Sequence, residues 1–213
     1  MSGAPPAVAV RGGSVTPEDE ARANFYALLA RLYANAPDAA LLRAIAEADE
    51  LPVESGGGAA DTMAQAWRTL VAASAAMDAD AAKQEYVDLF VGVGKSEVGL
   101  HASGYLSRPG TSVLAELRGE LARLGLARQP GVSVFEDHLT AILEVMRALV
   151  GGTPEMGPIP LPEQRKFFDA YVAAWAPACC AAIIQSPVAN YYRRVAQFTD
   201  SFVAIERDSF AIE

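Results

Sequence analysis

The chain is poor in the residue types that most active-site chemistry needs: 213 residues include two cysteines and two histidines. Cys179 and Cys180 are neighbours in a stretch that reads as helix, where adjacent side chains diverge and a mutual disulfide would be strained. They are expected to be buried thiols, and with no disulfide framework and no zinc-ligand spacing they fit a reducing compartment. Positive charge is also in deficit, 17 basic against 26 acidic residues for a formal net charge of -9. That balance argues against non-specific nucleic-acid or anionic-membrane binding and favours a basic partner, such as a peptide carrying arginines. No uninterrupted apolar run reaches the ~18 residues of a membrane span. Met1 to Val15 is rich in Ala, Gly and Pro around a single Arg11, and reads as a disordered tail, not a signal peptide. A cytoplasmic protein with one domain over residues 16–213 is the expectation.

Catalytic and metal motifs are missing in the same way. Gly92-Val93-Gly94-Lys95-Ser96 ends like a phosphate-binding P-loop, but Leu89 stands where the first glycine belongs and an amphipathic helix precedes it in place of a strand. Lys95 is therefore read as a solvent-facing loop lysine. No Glu-x-x-His occurs, and His101 and His138 lie in different segments without a third clustered ligand, so neither a di-iron type centre nor another metal site is expected. No nucleophile sits in a Gly-x-Ser-x-Gly turn. Nothing points to an enzyme or to a bound cofactor.

Helical signals fill the chain, whereas period-two alternation bounded by hairpin turns is lacking. Thr16-Pro17-Glu18-Asp19 predicts a helix start, with a helix to about Asn35. Further helices are expected from Asp38 to Ala48, Ala60 to Ala76, Asp80 to Phe90 and Thr111 to Leu124, where Gly125 supplies the closing conformation. Ser133-Val134-Phe135-Glu136 matches a capping box and predicts a helix through Leu143 and Leu149 to Gly151-Gly152. Pro162 to Trp175, Cys179 to Gln185 and a last helix opened by Ser186-Pro187 complete the list. In the last helix Tyr191, Val195, Phe198, Phe202 and Ile205 form a core stripe. The expected fold is all-α, a single globular bundle of about nine helices, with a long Gly/Pro loop between Gly151 and Pro162 that would serve as a hinge.

Two short segments stand out. Tyr86, Leu89 and Phe90 fall on one helix face just before a loop loosened by Gly92, Gly94 and Gly99, with Ser103 and Tyr105 on its return. Leu89 and Phe90 in that position are more simply core than ligand contacts. Downstream, Asp137 in a first helical turn is favoured by the helix dipole, whereas His138 gains nothing from it.

With these motifs the sequence resembles the cytoplasmic redox-enzyme maturation chaperones typified by the TorD and DmsD proteins. The likeness runs from about Phe25 to Glu206 and rests on Tyr86-x-x-Leu89-Phe90, the Gly-Val-Gly-Lys loop returning through Ser103 and Tyr105-Leu106, Asp137-His138-Leu139, Leu143 to Met146, Phe168-x-x-Tyr171-x-x-x-Trp175 and Asn190-Tyr191-Tyr192. It departs where the family often reads Glu-Pro before x-Asp-His, since Val134 and Phe135 stand there, and Leu100 replaces a common loop proline. The resemblance implies an all-helical chaperone that binds the twin-arginine signal peptide, and sometimes the body, of a molybdenum-cofactor oxidoreductase until cofactor is loaded. It implies peptide contacts from Tyr86, Leu89, Phe90, Ser103, Tyr105, Asp137 and His138. The long Gly/Pro connection, acting as a hinge, leaves open a monomer or a helix-exchanged dimer. The alternatives are an assembly chaperone for a nitrate reductase that is not exported, and a helical regulatory subunit that grips a folded partner.

Overall fold

The computed structural model describes residues 15–52, 58–107, 110–129, 131 and 134–212, and within them the helix-start chemistry at Thr16 is realised in full. The Thr16 hydroxyl accepts the Asp19 N–H at 3.0 Å while the Asp19 carboxylate accepts the Thr16 N–H at 3.3 Å, which opens α1 (Pro17–Ala34). Asp38 caps α2 (Ala39–Ala46) by accepting the Leu41 N–H at 2.7 Å. Between α2 and α3 (Ala59–Ala76), residues 53–57 lie outside the described residues, as does all but Val15 of the expected tail over residues 1–15. α4 (Ala79–Tyr86) is capped by Asp78, and α5 (Val113–Arg123) by Ser112, one residue past the expected Thr111. α6 (Leu139–Gly151), α7 (Leu161–Phe168), α8 (Ala176–Gln185) and α9 (Tyr191–Ile212) complete an all-α fold, with no strand among the described residues.

Several helix boundaries differ from expectation: α7 ends at Phe168 where the sequence predicts a helix to Trp175, α8 begins at Ala176 and not at Cys179, and three others have a visible cause. α4 does not continue as α-helix to Phe90: it widens into a π turn over Val87–Val91, closed by the Gly92 N–H on the Val87 carbonyl at 2.7 Å. α6 begins at Leu139 and not in the turn after Ser133, a residue outside the described ones. Glu136 is drawn away by Arg118, whose guanidinium grips it through two bonds of 3.1 Å. α9 begins at Tyr191, five residues beyond Ser186, because the capping acceptor comes from another helix. Glu85 Oε1 accepts the N–H groups of Asn190 and Tyr192 at 2.7 and 2.8 Å, and Oε2 accepts that of Tyr191 at 3.0 Å.

The core is the space between α1, α6, α3 and α9, where α1 lies on α6, α3 on α9, and α8 on α9. Tyr191, Val195, Phe198 and Phe202 are buried as the stripe predicts, and Phe25 packs edge-on against Trp67 and Phe198 at 5.7 and 5.4 Å. α1 and α6 approach closely at Gly151, where a Cβ would stand 3.1 Å from that of Ala23. α7, a second π turn (Asp169–Ala173) and α8 form one stretch, Leu161–Gln185. Length and composition would let it cross a membrane, yet half of its apolar window is buried in this fold, with Phe168, Val172, Trp175 and both cysteines in the core. Burial pushes the Cys179 thiol up to about 11 and the Cys180 thiol higher than its ordinary value too, so both are protonated and inert near neutrality.

α9 is anchored at both ends by carboxylates. Glu206, 1% exposed, takes Arg22 Nε and Nη2 at 2.7 and 2.9 Å and the Tyr26 hydroxyl at 2.7 Å. Removing one partner of a buried pair leaves the other charge without compensation. Glu206→Ala is therefore expected to cost about 3–5 kcal/mol in urea unfolding, and a loss below ~1 kcal/mol would show the cluster to be solvated. For Glu85→Gln, which halves the acceptor and removes its charge, a loss of roughly 1–3 kcal/mol with an unchanged m-value is expected; an unshifted midpoint would mean that water caps α9 equally well.

Candidate functional site

Between the π turn and α5 the chain runs from Gly92 to Ser112, and its return is held down at four points. Gly92 turns it sharply, with φ 64°, so closely that a Cβ there would meet the Lys95 carbonyl oxygen at 2.2 Å. The Val98 N–H donates to the Leu89 carbonyl at 2.9 Å, which sets Val98 and Leu100 into the core. The Ala102 N–H donates to the Asp137 carbonyl, and the Leu139 N–H to that of Leu100, both at 2.8 Å. That pair of bonds makes an isolated antiparallel bridge between His101 and His138. The Tyr105 hydroxyl donates to the Gly99 carbonyl at 2.9 Å and its ring packs on Trp175 at 5.4 Å.

Asp137 is the organising side chain of this patch and is only 4% exposed. Oδ1 lies 3.1 Å from Nδ1 of half-exposed His101, and Oδ2 accepts the Ser103 N–H at 3.4 Å. Burial alone would raise its pKa, but the bonds from Ser103 and His101 outweigh that and hold the carboxyl below its ordinary value. Asp137 thus precedes α6 and is not part of its first turn; His138 is the N-cap, with Nδ1 accepting the Thr140 N–H at 3.2 Å. That bond places the ring proton on Nε2. The two imidazoles meet edge to face at 4.9 Å, and Phe135, 52% exposed, stands 6.4 Å from His101.

The expected site residues fall into two groups. Ser103, Tyr105, Asp137 and His138 come together around residues 99–106 and the start of α6. Tyr86, Leu89 and Phe90 belong to a neighbouring aromatic seam. There Phe90 contacts Tyr86 and Tyr192 at 5.2 and 5.0 Å, and the Tyr86 hydroxyl donates to the Tyr33 and Ala34 carbonyls at the open end of α1. Leu89 is fully buried beneath that seam. The seam and the patch join through the Leu89–Val98 bond. His101, Phe135 and Glu85 take part although the spacing of the motifs did not single them out. His101 carried a signal, as one of two histidines and two residues before Ser103. Among the described residues no group of three or more His, Cys, Asp or Glu side chains is placed to hold a metal ion.

A family model described as the nitrate reductase delta subunit matches residues 57–181, more than half of the chain and all of this patch. The chain belongs to that family. Its members are assembly chaperones of molybdenum-cofactor enzymes and not catalysts, so the resemblance to redox-enzyme maturation chaperones stands. No curated protein matches the chain.

The His138 cap makes the patch sensitive to acid. Burial first, and the neighbouring His101 second, push the His138 pKa down to about 4 from the ordinary 6.5. The folded ring holds its proton more weakly than the unfolded one, so its stabilising contribution is complete above about 6.5 and is lost as pH falls from there towards about 4. Asp137, shifted down, adds its own loss at more acid pH. His138→Asn keeps a capping oxygen that does not titrate. Urea unfolding between neutral and mildly acid pH is expected to show a shallower pH slope for the variant; parallel slopes would rule out this account.

Proposed function

We propose that the chain is a cytoplasmic, client-specific chaperone that binds the twin-arginine signal peptide of a molybdenum-cofactor oxidoreductase and holds its catalytic subunit until cofactor is in place. The observation that carries this reading is the His101–Asp137–His138 patch. A buried carboxylate braces a loop, a neutral imidazole keeps its proton on Nε2, and an exposed phenylalanine stands beside them. A peptide carbonyl suits the Nε2–H donor, and an arginine suits the acidic surface of a chain with net charge -9. Asp137 acts in this reading as a positioning residue, since its two oxygens already serve His101 and Ser103. In this reading exposed Ser103 and half-buried Tyr105 belong to the same surface, and Tyr86, Leu89 and Phe90 support it through the neighbouring seam.

Calorimetry with a panel of twin-arginine signal peptides tests the reading. The wild-type chain is expected to select one peptide, and the double variant Asp137→Ala/His138→Ala to bind it at least about tenfold more weakly while retaining its helical circular dichroism. Undiminished binding by the folded double variant would remove the patch from the site.

The family description favours a second reading, in which the client is a nitrate reductase that stays inside the cell. The two readings separate in a pull-down with a cofactor-free catalytic subunit lacking any twin-arginine leader. Retention of that subunit as tightly as with the leader supports the second, and loss supports the first.

A further inference from the structure

The patch around His101 and His138 carries two adjacent carboxylates, and they differ in what it takes to change their partners. Asp137 is 4% exposed and its oxygens serve His101 and the Ser103 N–H, so an incoming group would have to undo the loop to reach it. Glu136 is held from outside. Arg118, half exposed on α5, lays its guanidinium against it as a fork, Nε to Oε1 and Nη2 to Oε2, each at 3.1 Å. Arg128 brings its Nε to 3.9 Å from the same Oε1. The fork holds the Glu136 carboxyl below its ordinary value, so it stays ionised near neutrality.

Arg118 can let go without α5 leaving the body. Val113, Leu117 and Leu121 are buried beneath the helix, and its far end is tied to α7 by Arg123 on Glu163 and by Lys166 Nζ at 3.5 Å from Glu120 Oε1. An ion pair with an exposed partner adds little to stability, because water and salt compensate for its loss. A guanidinium from outside, by contrast, cannot simply join the cluster. Both Glu136 oxygens are taken, and Arg118 and Arg128 repel a third cation. It binds by replacing Arg118. That replacement is isosteric for arginine and not for lysine, whose compact ammonium cannot make two parallel bonds.

We propose that Glu136 is a guanidinium-binding site and that Arg118 is its resident occupant, an internal competitor which an arginine of the client peptide displaces. This rests on the peptide-binding reading above and adds to it a self-occupied state. Affinity is lowered by the contact that the client must break, and only a segment that presents arginine recovers the loss. α5 also touches both sides of the His101–His138 bridge, the Ala102–Gly104 turn with Ser103 on one and Glu136 on the other, so the exchange is felt at the patch itself.

Wild type, Arg118→Gln and Glu136→Gln are to be titrated by calorimetry with a twin-arginine signal peptide and with the same peptide carrying glutamine in place of both arginines. Arg118→Gln is expected to bind the arginine peptide about three- to tenfold more tightly than wild type and the glutamine peptide no differently. Glu136→Gln is expected to lose its preference for the arginine peptide over the glutamine one. In wild type the Arg118 Nε–H proton signal, assigned by its loss in Arg118→Gln, is expected to give up its protection from solvent exchange when the arginine peptide is added and to keep it with the glutamine peptide, so the result does not depend on how well the variants fold. Unchanged or weaker binding of the arginine peptide by Arg118→Gln, with the Nε–H still protected in wild type, makes Arg118 a structural clasp: the competitor is overturned and the peptide-binding reading survives. An equal gain for both peptides overturns it as well, since that would be a general block and not a guanidinium site. If neither wild type nor Arg118→Gln binds any peptide, both readings fall.

Discussion

Everything around the candidate site hangs on one carboxylate placed at the head of another helix. Glu85 gives its two oxygens to three successive N–H groups at the start of α9, bonds that a helix cannot make for itself. Because α9 carries the core stripe, this contact fixes α4 relative to the packed centre of the fold. The aromatic seam follows from it: Tyr192, one of the capped residues, is brought against Tyr86 and Phe90 and donates its hydroxyl to the Leu32 carbonyl at 2.9 Å. Leu89 then falls into the core, its carbonyl receives Val98, and the return of the loop is positioned for the His101–His138 bridge.

Local chemistry was legible where it is local. Thr16 with Asp19, Asp38, and Gly125 with its φ of 72° mark helix ends through contacts within a few residues, and the core stripe of α9 needs nothing but its own periodicity. The failures have the opposite character. Ser186-Pro187 looked like the start of α9, but an acceptor 105 residues away sets the start at Tyr191. Glu136 looked like a capping-box partner and is held by Arg118; the true cap of α6 is His138. The π turn has no pattern of its own in a single sequence, since it differs from an α-helix by one hydrogen-bond register.

The candidate site was legible as two motifs and not as one surface. Asp137, His138, Ser103 and Tyr105 meet because the segment after His101 pairs with the backbone before α6, a contact no spacing rule anticipates. Glu206, in a helix otherwise read as apolar core, was invisible for the same reason: its partners Arg22 and Tyr26 are in α1. Asp137 and Leu89 are buried, while Phe135 and the valines of the π turn are open. In a chain whose thiols and most of whose aromatic groups are committed to packing, recognition is left to shape, to a few hydrogen-bond donors and to the sign of the surface.

The clasp of Arg22 and Tyr26 on Glu206 joins residues 184 and 180 positions apart. A chain leaving the ribosome exposes α1 well before α9, and its arginine and tyrosine then wait for a carboxylate that emerges some 180 residues later. Until that moment α1 and α6 can pair, but α9 has not filled the space between them and α3. The same later helix that closes the core, through Glu85 and Tyr192, also completes the ground on which the candidate site stands.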